Sequence, residues 1–193
     1  MTPAPGSLLI AATGLTDPHF ARSLVLVCEA GPEGALGVVL DRPSTMRVSD
    51  VLPGWDPLLS PPDVLFQGGP VDTDSALALA VLSRPPGPEA VEAPEGWRSF
   101  DDVEGPCLGV LDLDSEPESW VGRLAALRVH AGYAGWGPGQ LDEEIAEGGW
   151  HLTPARPAEL FTARPERLWH DVLRRQVGPL SLLTTLPADP ALN

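Results

Sequence analysis

The chain has 193 residues, 43% of them apolar and 20% charged, and a formal net charge of −15. That length predicts one domain, residues 1–193, with a sizeable core, and no apolar run approaches the roughly 20 residues of a membrane span. Duplex DNA is held by cationic side chains that displace counterions, so the charge disfavours direct nucleic-acid binding.

In chain order, "GSLLIAAT" (6–13) predicts a short buried strand. Asp17 and Pro18 in "DPHFARS" are placed as an N-cap and first helical position, for one turn at most. "SLVLVCEA" (23–30) and "ALGVVLDRP" (35–43) flank "GPEG" and predict a hairpin, with Pro43 ending the second strand. Residues 44–54 predict a short helix or irregular crossover, and 63–69 a strand running into Gly68-Gly69; over 74–83 the alanines favour helix and the position after a turn favours strand, and strand is the reading taken. The proline-rich stretch 84–100 is expected as a surface loop, and 106–113 as a strand. Ser115 and Glu118 have capping-box spacing, and Trp120, Leu124 and Leu127 repeat at helical spacing, which predicts a helix over 114–127. A strand (128–136), a helix (137–149), a strand (150–155) and a last helix (164–176) follow. Residues 187–193 are expected to form a loose tail. Hairpin-linked strands with helices mostly late in the chain indicate an α+β fold.

"HAGYAGWGPGQLDEEIAEGGW" (130–150) combines glycines with large rings. A Walker A phosphate loop needs lysine, and this chain has none. The acidic residues after Pro138 already complement a helix dipole. Leu141 and Ile145 share one face, with Gln140 and Glu144 at its edge. The stretch therefore reads as a packed structural corner, with a site using Gln140 and Glu144 as the alternative.

Together, "GxLLIA", "DPHFARSLVLVCE", "GALGVVLDRP", "FQGGPV" and the 130–150 stretch resemble the YqgE/AlgH family of bacterial proteins. The resemblance implies a bent, forked, mostly antiparallel sheet closed into a pseudo-barrel with flanking helices. It also implies an unsettled biochemistry; some members carry a transcriptional-regulator label. The chain departs from the family pattern at Asp41 (usually asparagine), Ala30 (usually histidine) and Thr13 (usually proline).

Candidate ligand- or partner-binding residues are Arg22, Glu29, Asp41, Arg42, Gly68, Gly69, Tyr133, Trp136, Gln140 and Glu144. Arg22 and Arg42 either brace loops by pairing bidentately with carboxylates or hold an anion over the Gly68-Gly69 backbone. No histidine pattern fits a metal site, no cofactor motif is present, and Cys28 and Cys107 read as buried small hydrophobes. With no signal-peptide pattern at the start, a cytoplasmic location is expected. The leading reading is a non-catalytic protein that binds another protein or a small ligand, with a regulatory role. The second is an enzyme acting on a small anionic compound, with Glu29 or Glu144 as general base. Direct DNA binding is third, since neither a helix-turn-helix nor a basic helix is visible.

Overall fold

The computed structural model describes residues 2–83, 94–100 and 108–182. Ten strands among them form one curled sheet: β1 (Ser7–Ala11), β2 (Leu24–Gly31), β3 (Gly34–Val39), β4 (Pro43–Arg47), β5 (Val64–Gln67), β6 (Val71–Leu82), β7 (Trp97–Ser99), β8 (Leu108–Leu111), β9 (Leu124–Trp136) and β10 (Trp150–Pro154). The main path runs β10-β1-β2-β3-β9-β6-β8-β7, and β4 and β5 branch from β9. All pairings are antiparallel except β5 with β9. Four short helices flank the sheet: α1 (Gln140–Ala146), α2 (Pro157–Leu160), α3 (Leu168–Arg174) and α4 (Pro179–Leu182).

The fork lies on β9. One edge of this strand follows β6, while the other takes β5 at His130 and Ala131 and then β3 at Ala134 and Trp136. The sheet curls enough that Arg98 of β7 forms an exposed ion pair with Glu29 of β2. Such a pair contributes at most about 1 kcal/mol, so it marks the closure more than it drives it. The sheet is thus a curled half-barrel, consistent with the pseudo-barrel that the family resemblance implies.

Both faces of the inner strands are covered, which explains their nearly continuous apolar runs. Leu8 and Ile10 of β1 join Leu24, Leu26, Leu79 and the α3 residues Trp169 and Leu173 in one cluster. Leu9 and Ala11 point the other way, into a cluster with Val25, Trp136, Leu141 and Trp150. A third cluster gathers Val48, Trp55, Trp120, Leu127 and Val129.

Several local expectations are corrected. The helix over 114–127 is instead a 3-10 turn, Pro117–Trp120, followed by the start of β9. Gly122 adopts a left-handed φ of 75°, which stops helical continuation. Ser115 does not cap: its Oγ accepts a 2.8 Å hydrogen bond from Trp120 Nε1. From Leu124 onward the backbone bonds to β6, with Leu127 opposite Ala80. Pairing with a distant strand overrides the local helical spacing.

Pro43 does not end β3, which stops at Val39; it opens β4, a sheet edge where the missing N–H costs nothing. Within the 44–54 segment β4 runs on to Arg47, and a 3-10 turn at Val48–Asp50 and further turns follow, so the expected short helix or irregular crossover holds only from Val48 onward. The expected loop over 84–100 contains β7, while its residues 84–93 lie outside the described residues, as do 106–107 and the 187–193 tail. The helix after Pro138 is shorter than 137–149, with Gly139 as its N-cap. The last helix begins as a 3-10 turn, Pro165–Arg167, and continues into α3. Neither α2 nor α4 was expected.

Candidate functional site

The glycine-rich corner is organised by one carboxylate. Glu144 Oε2 accepts hydrogen bonds from Trp136 Nε1 (3.0 Å) and Trp150 Nε1 (2.8 Å). Glu144 Oε1 accepts from Gln140 Nε2 at 2.8 Å, and Gln140 Oε1 accepts from the Gly137 backbone N–H at 3.0 Å. One turn of α1 thus satisfies two indoles whose rings are otherwise packed away: Trp150 is 1% exposed and Trp136 6%. The two rings meet edge to face at 6.0 Å. Phe20 closes the group, stacking on Trp136 at 6.3 Å and meeting Trp150 edge-on at 5.6 Å.

Phe20 comes from the 17–23 turn, where the Asp17 carbonyl accepts from the Phe20 and Ala21 N–H groups. The same turn reaches a second cluster. Arg42 Nη2 donates to the Ala21 carbonyl at 2.6 Å, and Arg42 Nη1 lies 3.5 Å from Asp41 Oδ2. Asp41 Oδ1 in turn accepts from the Leu24 N–H at 3.3 Å. Arg42 is therefore a brace between β3 and the turn, through a carbonyl and its own neighbour rather than a bidentate carboxylate. Arg22 takes a left-handed φ of 55° and places its guanidinium 5.9 Å from the centre of the Trp169 ring.

Gly68 and Gly69 sit where β5 leaves β9. The Gly68 carbonyl accepts from Val39 N–H, and its own N–H donates to the Ala131 carbonyl. A Cβ at Gly68 would lie 2.2 Å from the Gly132 carbonyl oxygen, and one at Gly69 2.2 Å from that of Tyr133. The missing side chains thus let two main chains approach, and the space an anion would use there is filled by β9. Tyr133 itself is paired with Val71 and packs against the α3 cluster. The turn links the Gln140–Glu144 corner to the Asp41–Arg42 brace through Phe20 and Ala21.

Burial raises Asp41 from 3.8 to about 6, against the opposing pull of Arg42 and the Leu24 N–H. A carboxyl whose folded pKa is raised contributes stability that is fully present below its unfolded pKa, near 4, and lost as pH rises through 6. Asparagine would keep an acceptor for Leu24 without the buried charge. Asp41→Asn is therefore expected to be more stable than the natural chain at pH 8, by about 1–3 kcal/mol, with the difference closing near pH 4. Urea unfolding at both pH values measures this, and a pH-independent difference would contradict it.

Two buried groups escaped the sequence reading. Arg128 of β9, 1% exposed, has no carboxylate partner among the described residues. Its guanidinium donates to the carbonyls of Leu160 (2.9 Å), Pro61 (2.9 Å) and Thr162 (2.8 Å) and lies 4.3 Å from the centre of the Phe66 ring. Burial lowers its pKa to about 10, so it stays charged at neutral pH. His130, two residues on, is fully buried, and neither ring nitrogen has a partner in hydrogen-bond geometry. Burial first, then the Arg128 charge, pushes it down to about 3; the nearby Leu77 backbone opposes this only weakly. His130 is thus a neutral ring packed 5.7 Å from Phe66. Only the alternation "RVH" on a strand hinted that both side chains share a face.

Cys28 is also inert: burial, then the Glu29 charge, pushes its thiol up to about 12. Among the described residues, no group of three or more His, Cys, Asp or Glu side chains is arranged to hold a metal. No helix among them is long and apolar enough to cross a membrane.

An open groove of about 320 Å³ lies beside the corner. One wall is the tip of the β2–β3 hairpin, including Gly31 and Gly34, and the other is the entry to α1, including Gly139 and Leu141; Thr2 and Pro3 also line it. Asp142 is the one charged side chain among its described lining residues.

A half-barrel sheet forked on one long strand, with a tryptophan corner gathered by a single helix carboxylate, defines a distinct class of α+β protein. The chain belongs to the AlgH-like family, whose model matches residues 8–181. It is 49% identical to a UPF0301 protein of Streptomyces avermitilis, covering 97% of this chain and 94% of the relative, and 44% identical to one of Mycobacterium tuberculosis, covering 97% and 90%. Its fold is similar to the crystal structure of a Corynebacterium diphtheriae protein (TM-score 0.86, 32% identity, covering 96% of this chain and 94% of that one). The solution structure of the AlgH protein of Pseudomonas aeruginosa is also similar (TM-score 0.65, 27% identity, covering 98% and 100%).

Proposed function

We propose that this is a non-catalytic cytoplasmic binding protein that acts by docking a partner protein, and that any regulatory role runs through that contact rather than through DNA. The observation that carries the reading is the open groove between the β2–β3 hairpin and α1. Its walls are held in place beforehand, because the Glu144 and Gln140 hydrogen bonds fix the start of α1. A preformed surface loses little ordering entropy on binding. The polar groups flagged for chemistry are engaged in bracing: Glu144 holds the indoles, Arg42 holds the turn, and Glu29 pairs with Arg98. That leaves the enzymatic reading with less support than the docking one.

A photocrosslinking residue at Gly31 is expected to trap a discrete partner in living bacterial cells. The same residue at Glu118, an exposed position on the turn before β9, is expected to trap none. Equal adducts at both positions, or no adduct at Gly31, would remove the docking reading. Retardation of duplex DNA at low salt would restore the DNA-binding alternative.

A further inference from the structure

We infer that the groove receives an extended, positively charged segment of its partner, an inference that rests on the docking reading above. Size, lining and charge all point this way. At about 320 Å³ the groove is at the small end of ligand sites, room for a few residues of chain rather than a folded element. Glycines at 31, 34 and 139 keep its walls at the level of the main chain, and at Gly31 and Gly139 a Cβ would meet nothing within 4 Å. A main chain can therefore lie close along both walls. The one charge in the described lining is the carboxylate of Asp142, with Glu143 exposed beside it. The net charge of −15 adds a long-range field that draws in cationic segments and repels anionic ones. An arginine or lysine side chain beside Asp142 completes the complementarity, and that carboxylate together with the net charge sets the sign of the partner.

The test uses the full chain and two fluorescein-labelled decapeptides, one alternating glycine with arginine and one alternating glycine with glutamate. Fluorescence anisotropy is expected to show binding of the arginine peptide only, weakening as salt rises. Two variants separate the groove from general attraction to an acidic surface. Asp142→Lys reverses the one charge among the described lining residues. Gly31→Leu fills the groove, at a position whose φ is open to ordinary side chains and whose added Cβ meets open space. Each is expected to weaken binding at least tenfold, while Asp114→Lys, an exposed charge reversal outside the groove, leaves it within twofold. Circular dichroism confirms that each variant is folded. Arginine-peptide binding unchanged in Gly31→Leu, or weakened equally by Asp114→Lys, would overturn the inference. So would binding of the glutamate peptide in its place, although that result, if lost in Gly31→Leu, would leave the docking reading standing. Self-association by sedimentation that is abolished in Gly31→Leu would assign the groove to a second copy of the chain and overturn the inference as well. Absence of binding by either peptide would overturn the inference, and if no crosslinked adduct forms at Gly31 either, the docking reading ends with it.

Discussion

Replacing Glu144 with alanine is expected to lower the melting temperature by about 10 °C. The substitution strips the acceptor from two indole N–H groups, of Trp136 and Trp150, and from the Gln140 amide. Leaving a buried donor unsatisfied costs about 1–3 kcal/mol, and bonds to a charged acceptor are at the strong end. Glu144 is partly exposed, so water recovers some of this, and a net loss of about 2–4 kcal/mol follows. For a chain of this size each kcal/mol lowers the midpoint by about 2–4 °C. Glutamine at 144 is expected to cost less, about 1–2 kcal/mol. Its amide oxygen can still face both indoles, but its NH₂ then meets the Gln140 NH₂, and one of the two amides must turn. If Gln140 turns, the Gly137 N–H loses its acceptor. Thermal and urea unfolding, read by tryptophan fluorescence, compare the two variants. A loss below about 1 kcal/mol for alanine, or equal losses for both, would show that the carboxylate does not hold the corner.

Arg128→Met is expected to have the second largest effect, about 3 kcal/mol or more. Methionine keeps an apolar stem against Phe66 but leaves the carbonyls of Pro61, Leu160 and Thr162 without their shared donor. Removing the buried cation returns part of its desolvation cost, which keeps the figure below the sum of three lost hydrogen bonds. Two of those carbonyls flank the end of α2, so the damage is local as well as global. Amide exchange at residues 160–164 is expected to quicken more than exchange in β1 or β2. Lysine at 128 can reach one or two of the carbonyls but lacks the planar fork that spans all three, and is expected to lie between methionine and the natural residue. Wild-type stability in the methionine variant, or a purely uniform increase in exchange, would contradict the assigned role.

These two residues mark how far the sequence could be read. Glu144 was legible because its reach is local: Trp136, Gln140 and Trp150 lie within eight positions, and a four-residue spacing on a short helix places Gln140 and Glu144 side by side. What spacing could not show was that both indoles would land on the same oxygen. Phe20, which completes the aromatic group, comes from more than a hundred residues away. For Arg128 nothing beyond the face it shares with His130 was legible. Its acceptors are main-chain carbonyls on two distant segments, and a carbonyl leaves no trace in residue identity. Gly68 and Gly69 were recognised as sites of close backbone approach, but only the structure names the approaching chain as β9 instead of a ligand.

The amino-acid sequence alone determined the elements whose signals are local. Apolar runs bounded by turns marked β1, β2 and β5, "GPEG" marked the hairpin, and a set of motifs spread over most of the chain marked the family. Tertiary structure alone decided the course of residues 114–127. A helical repeat at Trp120, Leu124 and Leu127 competed with the ladder that β6 offered, and the ladder prevailed. Local spacing is worth a few tenths of a kcal/mol per residue, whereas a strand buried on both faces gains its hydrogen bonds and its packing together. The same nonlocal pairing forked the sheet on β9, curled β7 over β2, and set the hairpin beside α1 to leave the groove between them.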